Sequence, residues 1–84
     1  MNVKSEIEAR LQAAFAPREL EVVNESHRHA GHAGDDGSGE SHFNIRIRAS
    51  ALGALSRLDR HRAVQRALGD LTRRIHALAL DIDG

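Results

Sequence analysis

The sequence predicts an α+β fold, in which a three-stranded sheet is covered by helices on one face. Three observations lead to this prediction: a helical repeat of apolar residues near the N-terminus, a two-residue alternation in the middle, and a second helical repeat that runs directly into another alternation. They place the elements in the order α-β-β-α-β. With 84 residues the chain can bury one small core, so residues 1–84 are expected to form a single domain.

The first helix is predicted over residues 3–15. Its apolar residues recur at the spacing of one helix face: Val3, Ile7, Leu11, Ala14 and Phe15. Asn2 is a candidate N-cap, and Ser5 with Glu8 fits a capping box that would start the helix later. Pro17 ends the helix, because the residue before a proline is disfavoured in the α conformation.

Two strands are predicted next, over residues 20–25 and 43–48. The second is the clearer one, because its apolar and polar residues alternate, as in a strand with one buried and one exposed side. Between the strands, residues 26–42 contain four glycines and four histidines. So many glycines in a polar segment predict a flexible connection rather than a tight turn.

Residues 60–75 are predicted to form a long helix, and residues 76–82 a buried strand that follows it directly. Four apolar residues line the core face of this helix: Val64, Leu68, Leu71 and Ile75. A connector precedes the helix, with Ser56 or Asp59 as the candidate N-cap. Gly69 lies inside the predicted helix, where a glycine costs roughly 1 kcal/mol relative to alanine.

Charge is distributed unevenly, although the formal net charge is zero. Residues 1–45 carry four basic and eight acidic side chains, a balance of −4, whereas residues 46–76 carry eight arginines and two aspartates, a balance of +6. Arginines of the long helix lie opposite its core face: Arg62, Arg66 and Arg73, with Arg60 and Arg74 at the edges. Such a surface is typical of contact with nucleic acid or with an acidic protein, and a solvated helix face is the plain alternative.

The composition excludes several classes of protein. There is no cysteine, hence no disulfide and no thiolate for catalysis or metal binding. No apolar run approaches a membrane span and the N-terminus lacks a signal-peptide core, so we expect a soluble intracellular protein without membrane association. The serines at positions 26, 41 and 50 sit in no nucleophile elbow, and no catalytic triad is recognisable, so we expect no enzyme.

Histidines are the remaining candidates for chemistry. His76 shares strand parity with the apolar residues that follow it, so it fits a histidine at the edge of the core as well as a ligand. His27, His29 and His32 lie close together in the sequence near two aspartates, a pattern that also binds adventitious zinc or nickel. His61 is interpreted as tethering the start of its helix to the preceding connector.

Several motifs in combination resemble the BolA family. They are LEVVNES (20–26), ESHF (40–43), Gly53, RHRAV (60–64) and IHALAL (75–80), and they span nearly the whole chain. The resemblance implies a fold similar to the class II K-homology domains. It also implies a non-enzymatic protein that partners monothiol glutaredoxins, in pairs where a [2Fe–2S] cluster is bridged and the glutaredoxin supplies a cysteine and glutathione.

Two histidines match the cluster ligands of that family. His76, in IHALAL, matches the histidine that opens the last strand, and His29, in NESHRH, matches the ligand position in the loop between the first two strands. His27 and His32 flank His29 and are alternates. Neutral imidazole suits iron, and histidine ligation raises the potential of a cluster relative to sites with thiolates alone. No cofactor is expected on the isolated chain.

A second function stays open, because some members of the family are described as transcription regulators. The surface for DNA or for a partner protein would then comprise Arg60, His61, Arg62, Arg66 and Arg73. We further expect a cytoplasmic bacterial protein, rather than one of an organelle matrix, that is monomeric or weakly dimeric when alone. The family's short last helix has no counterpart after the last predicted strand.

Overall fold

The structure is a computed structural model that describes residues 2–25 and 42–84. Its elements follow the predicted order, with two additional short helices: α1 (Val3–Phe15), β1 (Glu19–Asn24), β2 (His42–Arg48), α2 (Ser50–Gly53), α3 (Arg57–Leu68), α4 (Leu71–Arg74) and β3 (Ala77–Asp83). The predicted α+β class with a three-stranded sheet is confirmed. Among the helices described, none is long and apolar enough to cross a membrane.

The bounds of α1 follow from the residues at its two ends. Asn2 is the N-cap, and its side-chain oxygen accepts a hydrogen bond of 2.8 Å from the N–H of Ser5. The alternative capping box that would begin at Ser5 is therefore wrong. Ala16 ends the helix in the left-handed conformation, with φ of 44°, directly before Pro17. One face of the helix is buried and contributes Val3, Ile7 and Leu11 to the core.

The sheet is mixed, with the strand order β1-β2-β3. The central strand β2 is antiparallel to β1 and parallel to β3. A parallel pair needs a crossover connection, which α2, α3 and α4 provide here. Along β2, Phe43, Ile45 and Ile47 are buried under the helices, whereas Asn44 and Arg46 on the opposite face are exposed. The helices thus cover one face of the sheet and leave the other exposed.

The long helix predicted over residues 60–75 is wrong in its bounds, because the structure has two helices there. α3 ends at Leu68, since Gly69 has a φ of 57° and a ψ of −126°, far from helical values. Arg10 of α1 supports the break by donating to the Leu68 carbonyl oxygen at 2.5 Å and to the Asp70 carboxylate at 2.8 Å. The predicted core face is nevertheless buried: Val64, Leu68, Leu71 and Ile75.

The connector before α3 contains the short helix α2, which the sequence pattern did not indicate. α2 buries Leu52. Ser56 is the N-cap of α3, because its hydroxyl oxygen accepts from the Asp59 N–H at 3.1 Å. A Cβ on Gly53 would lie 2.9 Å from the Cα of Gly84, so the close approach of α2 to the residue after β3 requires glycine at position 53.

Candidate functional site

One end of the sheet brings the histidines together. β2 and β3 are parallel, so their first residues lie at the same end, with His42 opposite Ala77. The antiparallel strand β1 finishes there, and the backbone N–H of Glu25 donates to the carbonyl oxygen of His42 at 2.9 Å. His76, which directly precedes β3, therefore lies beside the start of β2.

His76 and His42 form a pair of imidazoles. Their ring centroids are 5.2 Å apart and their planes are inclined by 52°. His76 is exposed, whereas His42 is only 7% exposed. Its ring packs on one side against a buried ring, as a histidine at the edge of the core would, and is exposed on the other, as a ligand requires.

His42 is the residue of this site that the sequence analysis missed. It was included in the predicted connection 26–42, but it is the first residue of β2. By strand parity it belongs to the exposed face with Asn44 and Arg46, yet it is buried. The sequence did contain a signal that His42 belongs to β2, because the alternation of polar residues continues from Arg46 back to His42.

A shallow pocket of about 220 Å³ lies next to this pair of histidines. Its lining combines an imidazole, a carboxylate and small apolar groups: Glu25, His42, Phe43, Ala77, Leu78 and Ala79. The alanines on β3 leave this pocket beside His42 open, because their side chains end at the Cβ. The neighbouring ring of His76 is exposed and therefore accessible to a partner.

The predicted loop ligands, His29 with the alternates His27 and His32, lie outside the described residues. The chain leaves the described sheet after Glu25 and re-enters it at His42. Both of these residues are at the end of the sheet that carries His76. The histidine-rich segment is thus joined covalently to the same end of the sheet.

Few side chains that could bind a metal ion lie close together in the described part of the chain. Within residues 2–25 and 42–84, no three histidine, aspartate or glutamate side chains come together to hold a metal ion. His76 and His42 offer two imidazoles, and neutral imidazole is a suitable ligand for iron. Two imidazoles alone do not complete a metal site, so a metal bound here would need further ligands from outside the described residues.

Arg60, one of the arginines predicted for the binding surface, stabilises the fold instead. Arg60 donates to the carbonyl oxygens of Leu52 and Gly53 at 2.9 and 3.1 Å, and its guanidinium lies 3.3 Å from the Asp83 carboxylate. A hydrogen bond from the Gly84 N–H and the charge of Arg60 hold the pKa of Asp83 below its ordinary value of 3.8. Arg60 therefore ties α3 to α2 and to the end of β3.

His61 does not make the tether that was predicted for it. Its Nδ1 lies 2.9 Å from the Arg57 carbonyl oxygen, one turn earlier in the same helix. The link between α3 and the preceding connector is made by its neighbour Arg60. Arg74, at the other edge of the predicted surface, pairs with Glu6 of α1 at 3.2 Å.

Four arginines of α3 and α4 have side chains that make no hydrogen bond or ion pair with the described residues: Arg57, Arg62, Arg66 and Arg73. All four side chains are exposed. Arg62 and Arg66 share one face of α3, and Leu58, which is 58% exposed, lies one turn before Arg62 on that face. Because α4 is a separate helix, Arg73 does not continue this row. We call Leu58, Arg62 and Arg66 the α3 surface.

Comparisons with known proteins agree with the fold. The family model described as BolA-like protein matches residues 11–83. The DNA-binding transcriptional regulator BolA of Escherichia coli K12 is 41% identical over 81 residues, which are 95% of this chain and 73% of that protein.

Two solved structures from Arabidopsis thaliana are also similar. BolA1 has a TM-score of 0.86 and 32% identity, and the BolA domain of SufE1 has a TM-score of 0.84 and 33% identity. In both comparisons the match covers 99% of this chain and 92% of the other. Sequence and fold agree over nearly the whole length, so this chain belongs to the BolA family.

Proposed function

We propose that this chain is a non-enzymatic partner of a monothiol glutaredoxin and supplies His76 as a ligand to a [2Fe–2S] cluster held between the two proteins. The observation that carries the proposal is the exposed His76 ring, packed against His42 at the end of the sheet where the histidine-rich segment is joined. The BolA domain in SufE1 supports an iron–sulfur context for the family. The function proposed is cluster trafficking or iron regulation.

His76 meets the requirements of a ligand that is shared between proteins. An exposed imidazole at the end of the sheet can reach an iron held by a partner without movement of the core. His42 limits the rotation of the His76 ring on one side, and such neighbours orient metal ligands. When bound, the cluster supplies an iron coordination position and a redox couple whose potential depends on its histidine ligation.

A second ligand from the histidine-rich segment is consistent with the length of the chain. His29 is four residues beyond Glu25, and four extended residues span at most about 14 Å. The same argument from chain length applies to His27 and His32. We propose His29 as the second ligand, as the resemblance to the family implies, with the glutaredoxin contributing a cysteine and glutathione.

The cluster proposal is tested by the spectrum of the mixed complex. The chain is reconstituted anaerobically with a monothiol glutaredoxin, glutathione, iron and sulfide, and visible absorption and circular dichroism are recorded. We expect a spectrum distinct from that of the glutaredoxin alone, which is lost in His76→Ala because an iron ligand is removed. His76→Cys should restore a cluster with a shifted spectrum, since cysteine also ligates iron.

A wild-type spectrum in His76→Ala would contradict the assignment of this ligand. Far-UV circular dichroism of each variant checks that the fold is retained, as expected for an exposed side chain. The second ligand is found in the same assay with His29→Ala, His27→Ala and His32→Ala. Among these variants, His29→Ala is expected to alter the spectrum most.

The α3 surface supports DNA binding as a second candidate function. Exposed arginines without an ionic partner can neutralise phosphates, and a relative from Escherichia coli carries the name DNA-binding transcriptional regulator BolA. The exposed Leu58 beside Arg62 and Arg66 argues instead for a protein partner, because an apolar side chain gains nothing from phosphates. We therefore place DNA binding second.

The DNA candidate is tested by the salt dependence of binding to duplex DNA. If the α3 surface contacts phosphates, the affinity falls steeply with salt concentration, and replacing Arg62 and Arg66 by glutamate lowers the slope of log K against log salt by roughly 2. Lys4→Glu, a single charge reversal on α1, serves as the control and should retain the slope. A slope near zero in the wild type would remove this candidate.

A further inference from the structure

The outer edge of β3 presents backbone groups that have no hydrogen-bond partner within residues 2–25 and 42–84. The Ala49 N–H donates to the Asp83 carbonyl oxygen at 3.2 Å, so the backbone polar groups of Asp83 point toward β2. In a strand these groups alternate in direction, so those of Leu78, Leu80 and Ile82 point away from β2. No described residue hydrogen-bonds to them on that side, because β3 is the last strand of the sheet.

A cleft of about 430 Å³ runs along this open edge. One wall is the second half of β3, where Leu80 and Ile82 are half-buried. The other wall is the first part of α3, which contributes Arg57 and His61. The cleft therefore combines unpaired backbone donors and acceptors with apolar side chains and a basic wall, the combination that an added strand uses.

The charges around the cleft favour an acidic occupant. Asp81 is paired with Arg48 at 3.0 Å and with Arg46 at 3.8 Å. Asp83 is paired with Arg60 at 3.3 Å. Arg57 has no ionic partner among the described residues, so it is the uncompensated charge of the cleft.

We propose that the open edge of β3 accepts an extended acidic segment of a partner protein as a fourth strand. Backbone hydrogen bonds to Leu78, Leu80 and Ile82 would hold the segment in register. Its apolar residues would cover Leu80 and Ile82, and a carboxylate would pair with Arg57. This proposal does not require the cluster, because it does not use the imidazole of His76.

Single-stranded nucleic acid fits the same cleft less well. Arg57 is the one arginine of the cleft without an ionic partner among the described residues, whereas a strand of phosphates is bound by several cations. The described residues of the cleft include no Phe, Tyr or Trp on which bases could stack. An extended peptide needs neither feature, since its main chain supplies the hydrogen bonds.

The test is a titration of the isotope-labelled chain with a blocked seven-residue peptide in which valine and glutamate alternate, followed by NMR. We expect shift changes confined to β3 and the first turn of α3, and intermolecular contacts between the peptide and the backbone of Leu80 and Ile82. Arg57→Glu should weaken binding about tenfold, because it places like charges together. Arg66→Glu, an exposed reversal on another face of α3, should change it less than about twofold.

The peptide itself provides the backbone control. N-methylation of alternate residues removes donors without changing charge, and should abolish binding if the peptide adds as a strand. Equal binding of the methylated peptide, or of a lysine-for-glutamate peptide, would overturn the proposal. So would tighter binding of a single-stranded DNA oligomer at the same residues. Shift changes along β3 that grow with protein concentration alone would mean that a second copy occupies the edge, and would also overturn it.

Discussion

Gly69 is the residue at which the chain between α3 and α4 changes direction. Its φ of 57° and ψ of −126° are reached by glycine and are strained for residues with a Cβ. A Cβ at this position would also lie 3.4 Å from the Nη1 of Arg10 and crowd the hydrogen bond that supports the end of α3.

Replacement of Gly69 by alanine is therefore expected to lower the free energy of unfolding by about 1–3 kcal/mol. The measurement is urea unfolding followed by far-UV circular dichroism. A glycine inside a continuous helix would give the opposite result, a gain of about 1 kcal/mol on replacement by alanine. Stabilisation by Gly69→Ala would thus mean that residues 60–75 form one helix after all.

At the scale of elements, the spacing of apolar residues predicted which sides of the helices and strands face the core. The alternation along β2 and the helical repeats of α1 and α3 were correct except at Ala14, which is exposed, because the side chains that face the core must be apolar. The same pattern could not locate the break at Gly69, since Leu71 and Ile75 remain on the core side although the helix has ended. The break is supported by the hydrogen bond from Arg10 to the carbonyl oxygen of Leu68. These two residues are 58 positions apart, so no local pattern contains this contact.

The candidate site was predictable only in part, for a similar reason. His76 was found through its motif and its position at the start of a strand. The role of Arg60 as a link to α2 and Asp83, and the pairing of His42 with His76, depend on contacts between distant elements. Only the fold therefore shows which arginines of such a row are hydrogen-bonded within the described residues and which are available to a partner.

At the scale of the whole molecule, ion pairs join elements that are far apart in sequence. Arg10 links α1 to Asp70 at 2.8 Å, and Arg74 links α4 back to Glu6 at 3.2 Å. The hydrogen bond and the charge of Arg10 lower the pKa of Asp70 below its ordinary value of 3.8. A carboxylate whose pKa is lowered by folding stabilises the folded state above its unfolded pKa, and that contribution is lost as the pH falls through the folded pKa.

The stability of the wild type relative to Asp70→Asn should therefore depend on pH. The wild type is expected to have the higher urea midpoint at pH 7. The difference should shrink as the pH falls from the ordinary pKa of 3.8 through the lowered pKa of Asp70 in the folded state. Urea titrations of both proteins between pH 7 and pH 2.5 measure the difference. A difference that does not change with pH would show that the Arg10 contact does not depend on the charge of Asp70.

The position of His76 at the start of an edge strand has a consequence for local unfolding. β3 is hydrogen-bonded to one neighbour only, and Ala77, its first residue, is exposed. Opening the first residues of β3 therefore breaks few hydrogen bonds and exposes little of the core, whereas opening β2 disrupts both neighbours. Local opening at His76 should cost far less free energy than global unfolding. The backbone amide hydrogens of His76 and of the first residues of β3 are therefore expected to exchange faster than those of β2. The imidazole thus lies on an edge of the sheet that opens more easily than the central strand β2, and a ligand bound there would slow the exchange of β3.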